Sequence, residues 1–255
     1  MLNWAWLEFE LELWRRAGHT ANLWWRDDDA SEATSSLDQL LEVQQDRPLT
    51  LAVIPVGDLS PLAVRLKSSA NLCIVQHGVD HQNRRAGPLA GEFPHEWRRI
   101  RIATQIRTGW KNLSQIEGAE AIFVPPWNDI HPELPVALHD CAYRGLSAWG
   151  GLQDQTAPFR VDAHLDLMRW KNGARFRGES RFLRDFRKLL TLRRKARAWH
   201  APIGLLTHHL AHDPAAWAFL RKFLTWSDGR RDLAWRSLPD LLGESEGRAE
   251  IALKS

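Results

Sequence analysis

The chain has little cysteine, no long apolar run and almost no net charge, and each shortage narrows what it does. Its two cysteines, Cys73 and Cys141, sit in apolar surroundings and lack the close spacing of a metal knuckle. That excludes a disulfide-stapled scaffold and a cysteine-based zinc site, and reads as reduced core thiols of a cytosolic protein. No window approaches the ~20 apolar residues needed to cross a membrane. The opening segment interleaves Glu8, Glu10 and Glu12 with its apolar residues and carries no basic start or cleavage pattern. It is not a signal peptide, so the expected location is cytoplasmic. A net charge of +3 gives no global case for nucleic-acid binding. Linkers, composition shifts, internal repeats and low-complexity segments are also missing, so residues 1–255 are expected to form one domain.

What is present is an ordinary soluble composition, 44% hydrophobic and 25% charged, with an uncommon 14 tryptophans. Most of these pack the core, although indole faces also suit the stacking of sugars. Apolar runs near 22–27, 49–54, 72–75, 121–124, 143–149, 162–168 and 203–207 read as strands, with a weaker eighth at 232–236. Helical periodicity fills the intervals, and Trp4, Leu7, Leu11 and Trp14 form the stripe of an opening helix. Alternating strands and helices, with strands apolar on both faces, predict an α/β fold of parallel strands, a (β/α) barrel.

The stretch that organises the chain is Leu23-Trp24-Trp25-Arg26-Asp27-Asp28-Asp29-Ala30-Ser31. A buried strand there runs into three carboxylates whose mutual repulsion costs stability unless a cation is near. A helix N-terminus capped by Asp29 or Ser31 accounts for one or two of them. In a parallel barrel the site lies at the C-terminal ends of the strands. Three further strand ends carry unusual residues: His77 and His81, then Pro125-Pro126-Trp127-Asn128, then His208-His209. A loop pair of histidines four apart is often only surface. On the same rim as a carboxylate cluster, however, two imidazoles and one carboxylate describe a catalytic zinc-type site. His208 is placed as general acid or base, whereas His209 points the other way if the strand continues. His164 and Asp166 share one strand face and are either a satisfied core pair or support for the site.

In order and spacing these segments resemble the polysaccharide deacetylases, which include carbohydrate esterase family four. Trp25 to Ser31 resembles the family's Thr-Phe-Asp-Asp-Gly-Pro-Ser, and His77-Gly78-Val79-Asp80-His81 its His-(Ser/Thr)-x-x-His. Val124-Pro125-Pro126-Trp127 resembles Arg-x-Pro-Tyr, and Leu206-Thr207-His208 the closing Leu-x-His. The resemblance implies a distorted seven-stranded (β/α) barrel that removes an acetyl group from an N-acetylated or O-acetylated sugar. Residue by residue, it implies Asp27 as catalytic base, Asp28, His77 and His81 as ligands of a divalent metal, most simply Zn2+, and His208 as general acid. Pro126, Trp127, Asn128, Asp29, His164, Asp166 and Arg169 are expected around the substrate or behind these groups, with the Trp127 backbone N–H facing the oxyanion.

The sequence also departs from the family pattern. Val124 replaces the arginine that pairs with the base, which leaves Arg26 or Arg169 to do so. The Asp-x-x-Asp-Trp motif shrinks to Ser147-Ala148-Trp149, leaving Asp166 to orient His208, and Asp29 stands where the family has glycine. A non-catalytic carbohydrate-binding relative and a hydrolase of another small amide are the alternatives. A local basic helix over 179–198 is expected to bury Phe182, Phe186, Leu189, Leu190 and Leu192. Its Arg184, Lys188 and Lys195 face solvent or make weak contact with an anionic membrane surface.

Overall fold

The computed structural model describes residues 2–150 and 159–244. After α1 (Leu2–Arg16), strand and helix alternate as β1 (Ala21–Ala30), α2 (Ser35–Gln44), β2 (Leu49–Val53), α3 (Ser60–Leu66) and β3 (Leu72–His77). Next come α4 (Arg99–Leu113), β4 (Ala119–Val124), α5 (Leu134–Asp140), β5 (Gly145–Leu146) and β6 (Leu165–Asp166). A two-stranded hairpin, β7 (Met168–Arg169) and β8 (Arg175–Phe176), precedes α6 (Glu179–Lys195), β9 (Ile203–Thr207), α7 (Pro214–Ser227) and β10 (Leu233–Trp235).

The main sheet runs β5-β4-β3-β2-β1-β9-β6, with β10 added along the first residues of β1. Every pairing in it is parallel. The two ends of this order meet. Leu146 and Trp149 bridge Arg160 and Ala163, and the chain past Ala163 continues into β6 against β9. The expected distorted barrel of parallel strands is therefore the fold. Its interior is filled by Trp24, Ala52, Val75, Ile122, Val124, Ala163 and Leu206. Leu238, Leu241 and Leu242, in a helical stretch over 238–244, close the end where the strands begin. A Cβ on Gly145 would stand 2.4 Å from Leu242 Cδ1, so that side chain would have to shift to admit it.

The helices bury the stripes that their periodicity gives them. Leu7, Leu11 and Trp14 of α1 are fully buried, and the Trp14 indole N–H donates to the Leu190 carbonyl at 3.2 Å. In α6, Phe182, Leu183, Phe186 and Leu190 face inward, each stabilising by roughly 1.5–3 kcal/mol. Leu192, expected among them, is on the outer face with Arg181, Arg184, Lys188 and Lys195, since a 3.6-residue period puts Leu183 inside instead. No described helix is long and apolar enough to cross a membrane.

Two boundaries differ from expectation for local reasons. Helix α2 begins at Ser35 rather than near residue 31, because β1 runs on to Ala30. The Thr34 hydroxyl then caps α2, accepting from the Leu37 N–H at 3.1 Å. The expected strand over 162–168 stops at Asp166, whose carboxylate accepts from the Met168 N–H at 2.8 Å and turns the chain out into the hairpin.

His164, a candidate for the site, is instead part of the wall. It is buried, with Nδ1 accepting from the Gly204 N–H at 3.1 Å and the Arg193 guanidinium 3.2 Å from Nε2. Burial, and then the Arg193 charge, push its pKa down from 6.5 to about 3. The unfolded chain thus takes up a proton that the folded one refuses, and stability rises with pH across that window. Chemical denaturation at falling pH should show stability dropping below pH 6.5 by up to about 1.4 kcal/mol per pH unit from this group. His164→Asn should remove that part of the slope; an unchanged slope would contradict the assignment.

Candidate active site

Strand alternation decides which acids reach the barrel mouth. Trp24 belongs to the interior cluster and Trp25 to the outer layer, so Arg26 and Asp28 point inward and Asp27 outward. The structure bears this out. Asp27 is fully buried behind the barrel, accepting from the Thr207 hydroxyl at 2.6 Å and the His209 N–H at 3.1 Å, and paired with His209 Nδ1. Asp27 therefore has no access to substrate, contrary to its expected role as base. Although burial opposes its ionisation, the His209 charge and hydrogen bonds hold its pKa below the usual carboxylate range. His209 points away from the mouth as expected.

Asp28 lines the mouth, but its partner is Arg26 rather than a histidine pair. The Arg26 Nη2 donates to Asp28 Oδ2 at 2.9 Å, while Nε lies 2.8 Å from Oδ1. The same guanidinium donates to the Ser147 carbonyl and hydroxyl at 3.0 and 2.9 Å, and to Asn128 Oδ1 at 2.8 Å. Arg26, expected as a partner of Asp27, thus pairs with Asp28 instead.

The carboxylate that meets the histidines is Asp29. At φ +74 it leaves the strand region, and the β1–β2 register shifts between Asp27 and Ala30. Consecutive residues Asp28 and Asp29 consequently both reach the mouth, which a regular strand forbids. Asp29 Oδ1 stands 3.1 Å from His77 Nε2 and 3.3 Å from His81 Nε2. One ligand atom from each of Asp29, His77 and His81 lies within 4.8 Å of the others. His77 Nδ1 faces the Val124 carbonyl at 3.0 Å, and as that oxygen only accepts, Nδ1 carries a proton; Nε2, turned towards Asp29, is the atom that would bind a metal on losing its own proton. The donor set, with the His77 ring oriented by the Val124 carbonyl, fits a divalent cation. Burial disfavours charge on Asp29, yet hydrogen bonds from His77 and His81 outweigh it and hold its carboxyl far below the ordinary range. The same contact raises His77 against its own desolvation.

The loop that delivers His81 is built on Glu92, which the sequence reading missed. Its carboxylate accepts from the N–H groups of Val79, Asp80 and His81 at 2.7–3.0 Å. Gly78, at φ +63, is irreplaceable, since a Cβ would lie 2.5 Å from Pro126 and 2.6 Å from Glu92. Pro126 is accordingly a buried packing residue rather than a substrate contact.

The mouth opens into a cleft of about 580 Å3. Beside the triad it is lined by Asp28, Trp127, Asn128, Asp166 and His208, and further out by Trp149, Trp170, Arg169, Arg177 and Arg181. His208 Nε2 is 4.0 Å from Asp28 Oδ2, and its ring meets the Trp170 edge at 4.6 Å. Asp166 is close enough to act on His208 by charge. Its oxygens are nonetheless taken by the Met168 N–H and the Trp170 indole N–H, so it does not hold the imidazole. Asp162, not foreseen, pins the shortened Ser147-Ala148-Trp149 segment by accepting from the Ala148 N–H at 2.8 Å.

The one-residue shift from Asp28 to Asp29 at the two histidines generates a separable prediction. Asp29→Ala should abolish metal retention in a folded protein, measured as metal content after gel filtration. Asp27→Ala should leave a buried imidazole unpaired and cost roughly 3–5 kcal/mol of stability. If metal retention depended on Asp28 and not on Asp29, the shift would be wrong.

No protein-family profile matches the chain, and no curated protein matches it. Solved structures do. A protein from Mycobacterium smegmatis assigned as a polysaccharide deacetylase superposes with TM-score 0.65 at 13% identity, over 91% of this chain and 92% of its own. The chitin deacetylase of Colletotrichum lindemuthianum gives 0.55 at 14% identity, covering 88% of both chains. A peptidoglycan deacetylase from Bacillus subtilis gives 0.54 at 14% identity, over 92% of this chain and 96% of its own. At such identities the likeness speaks for architecture, and the fold of this chain is the distorted barrel of the polysaccharide deacetylases.

Proposed function

We propose that the protein is a metal-dependent deacetylase that hydrolyses the acetyl group of an N-acetylated sugar. The observation that carries this is the convergence of Asp29, His77 and His81 beside an arginine-clamped Asp28 at the mouth of a tryptophan-lined cleft. Two imidazoles and a carboxylate suit Zn2+. A divalent cation there would supply a Lewis acid that acidifies water and polarises the acyl carbonyl.

The chain's own groups do the rest. Asp28 takes the role that the family resemblance gave to Asp27 and accepts the proton of the attacking water, its orientation fixed by Arg26. His208, 4.0 Å from Asp28, works at the same centre and protonates the departing amine. The Trp127 N–H, in a turn held open at φ +55, donates to the developing oxyanion. Trp127, Trp149 and Trp170 are each 41–47% exposed, which leaves indole faces for stacking on a sugar ring.

The test is acetate release from a panel of N-acetylated sugars by zinc-loaded protein. Asp28→Asn keeps an oxygen for Arg26 and should keep the metal, while turnover falls about 10²–10⁴-fold, the usual contribution of a positioned base. A near-parental rate in D28N would remove Asp28 from the role. No acetate from any sugar in the panel would reject the activity.

A further inference from the structure

We propose that the cleft is built for a sugar bearing an oxyanion, a phosphate or carboxylate held by Arg169 and Arg181. This rests on the carbohydrate reading above and names its substrate class. Three arginines line the cleft, and their charge is poorly compensated. Among the described residues Asp185 is the one carboxylate within ion-pairing distance of Arg177, Arg181 and Arg184, pairing with Arg177 and standing 4.0 and 3.9 Å from the other two. Arg169, half-buried, has no carboxylate within ion-pairing distance among the described residues. It also sits directly opposite Arg175 across the β7–β8 hairpin. Like charges at facing positions destabilise a strand pair, so this placement has a cost that an anion between or beside them would offset.

Among the described residues, the acids of the cleft form no ion pair with Arg169 or Arg181, although Asp166 acts on Arg177 by charge. Asp28 is committed to Arg26, Asp29 to the two histidines, and the Asp166 oxygens to the Met168 and Trp170 N–H groups. A planar guanidinium fork in a confined cleft favours an oxyanion over a neutral hydroxyl. The tryptophans then hold the ring, with the acetyl group at the triad and the charged substituent at the arginines.

The experiment measures dissociation constants by calorimetry on full-chain D28N, so that binding is read without turnover. The probes are N-acetylglucosamine, N-acetylglucosamine 1-phosphate and an N-acetylated hexuronic acid. At least one charged sugar should bind about tenfold or more tightly than the neutral one, the worth of one charge-assisted hydrogen bond. The preference should shrink with salt and vanish in R169A and R181A. Whichever charged sugar binds tighter identifies the substituent. Equal binding of all three, no binding of any, or a preference surviving the R169A/R181A double substitution would overturn the proposal. Acetate release without anion preference would sink this inference alone. Anion preference without acetate release would sink only the deacetylase reading.

Discussion

The buried Arg26–Asp28 pair is the constraint on which the site depends. A guanidinium with no solvent exposure inside a barrel is tolerable only if its donors are satisfied and its charge is met. Arg26 meets its charge and places both terminal nitrogens by reaching three separate segments: Asp28 on its own strand, Asn128 in the turn after β4, and the Ser147 and Ala148 carbonyls after β5. Its Nε stands 2.8 Å from Asp28 Oδ1 without hydrogen-bond geometry. Any movement of these segments relative to one another would strand a donor in the core. Such a pair adds little net stability once desolvation is counted. Its effect is to fix where three strand ends lie, and those ends form the mouth.

On the other face of the same strand, Asp27 does the matching work. Joined to Thr207 and His209, it ties the end of β1 to the end of β9 and so aims His208, the residue between them, into the cleft. Three consecutive carboxylates thus serve three separate places: a histidine behind the sheet, an arginine in the barrel, and two histidines at the mouth. The repulsion implicit in an Asp-Asp-Asp sequence is relieved because strand alternation and one bulge send the side chains in different directions.

That division shows what the sequence could disclose. Element order and the parallel barrel follow from apolar runs spaced by helical periodicity, and they were legible. The rim position of His77, His81, Trp127, Asn128 and His208 was legible too, because it needs only the ends of strands. Which acid meets the histidines and which meets Arg26 was not, since a run of three aspartates fits a two-aspartate motif in two registers. The signal that separates them is period-two alternation from Trp24, which sends Arg26 and Asp28 inward together. The bulge at Asp29, which defeats alternation in the last step, is tertiary in origin and has no sequence marker. Glu92 and Asp162 were missed for a related reason: both act through backbone N–H groups of distant loops, and such partners leave no pattern in their own neighbourhood.

The rim also carries its strain in an ordered way. Asp29, His81, Trp127 and Asn128 all take φ values between +55 and +74, a region unfavourable to side chains other than glycine's. Such conformations persist only where the surroundings over-determine them, at about 1–3 kcal/mol each. Here the surroundings are identifiable. Glu92 gathers three loop N–H groups around His81, Arg26 holds Asn128, and Arg85 spans from the Phe93 carbonyl to Asp129 beside that turn. The two histidines and the bulged aspartate are therefore brought to one point by backbone that the folded protein alone can hold. A cation arriving there would meet a site already arranged, and little of its binding energy would be consumed in assembling the ligands.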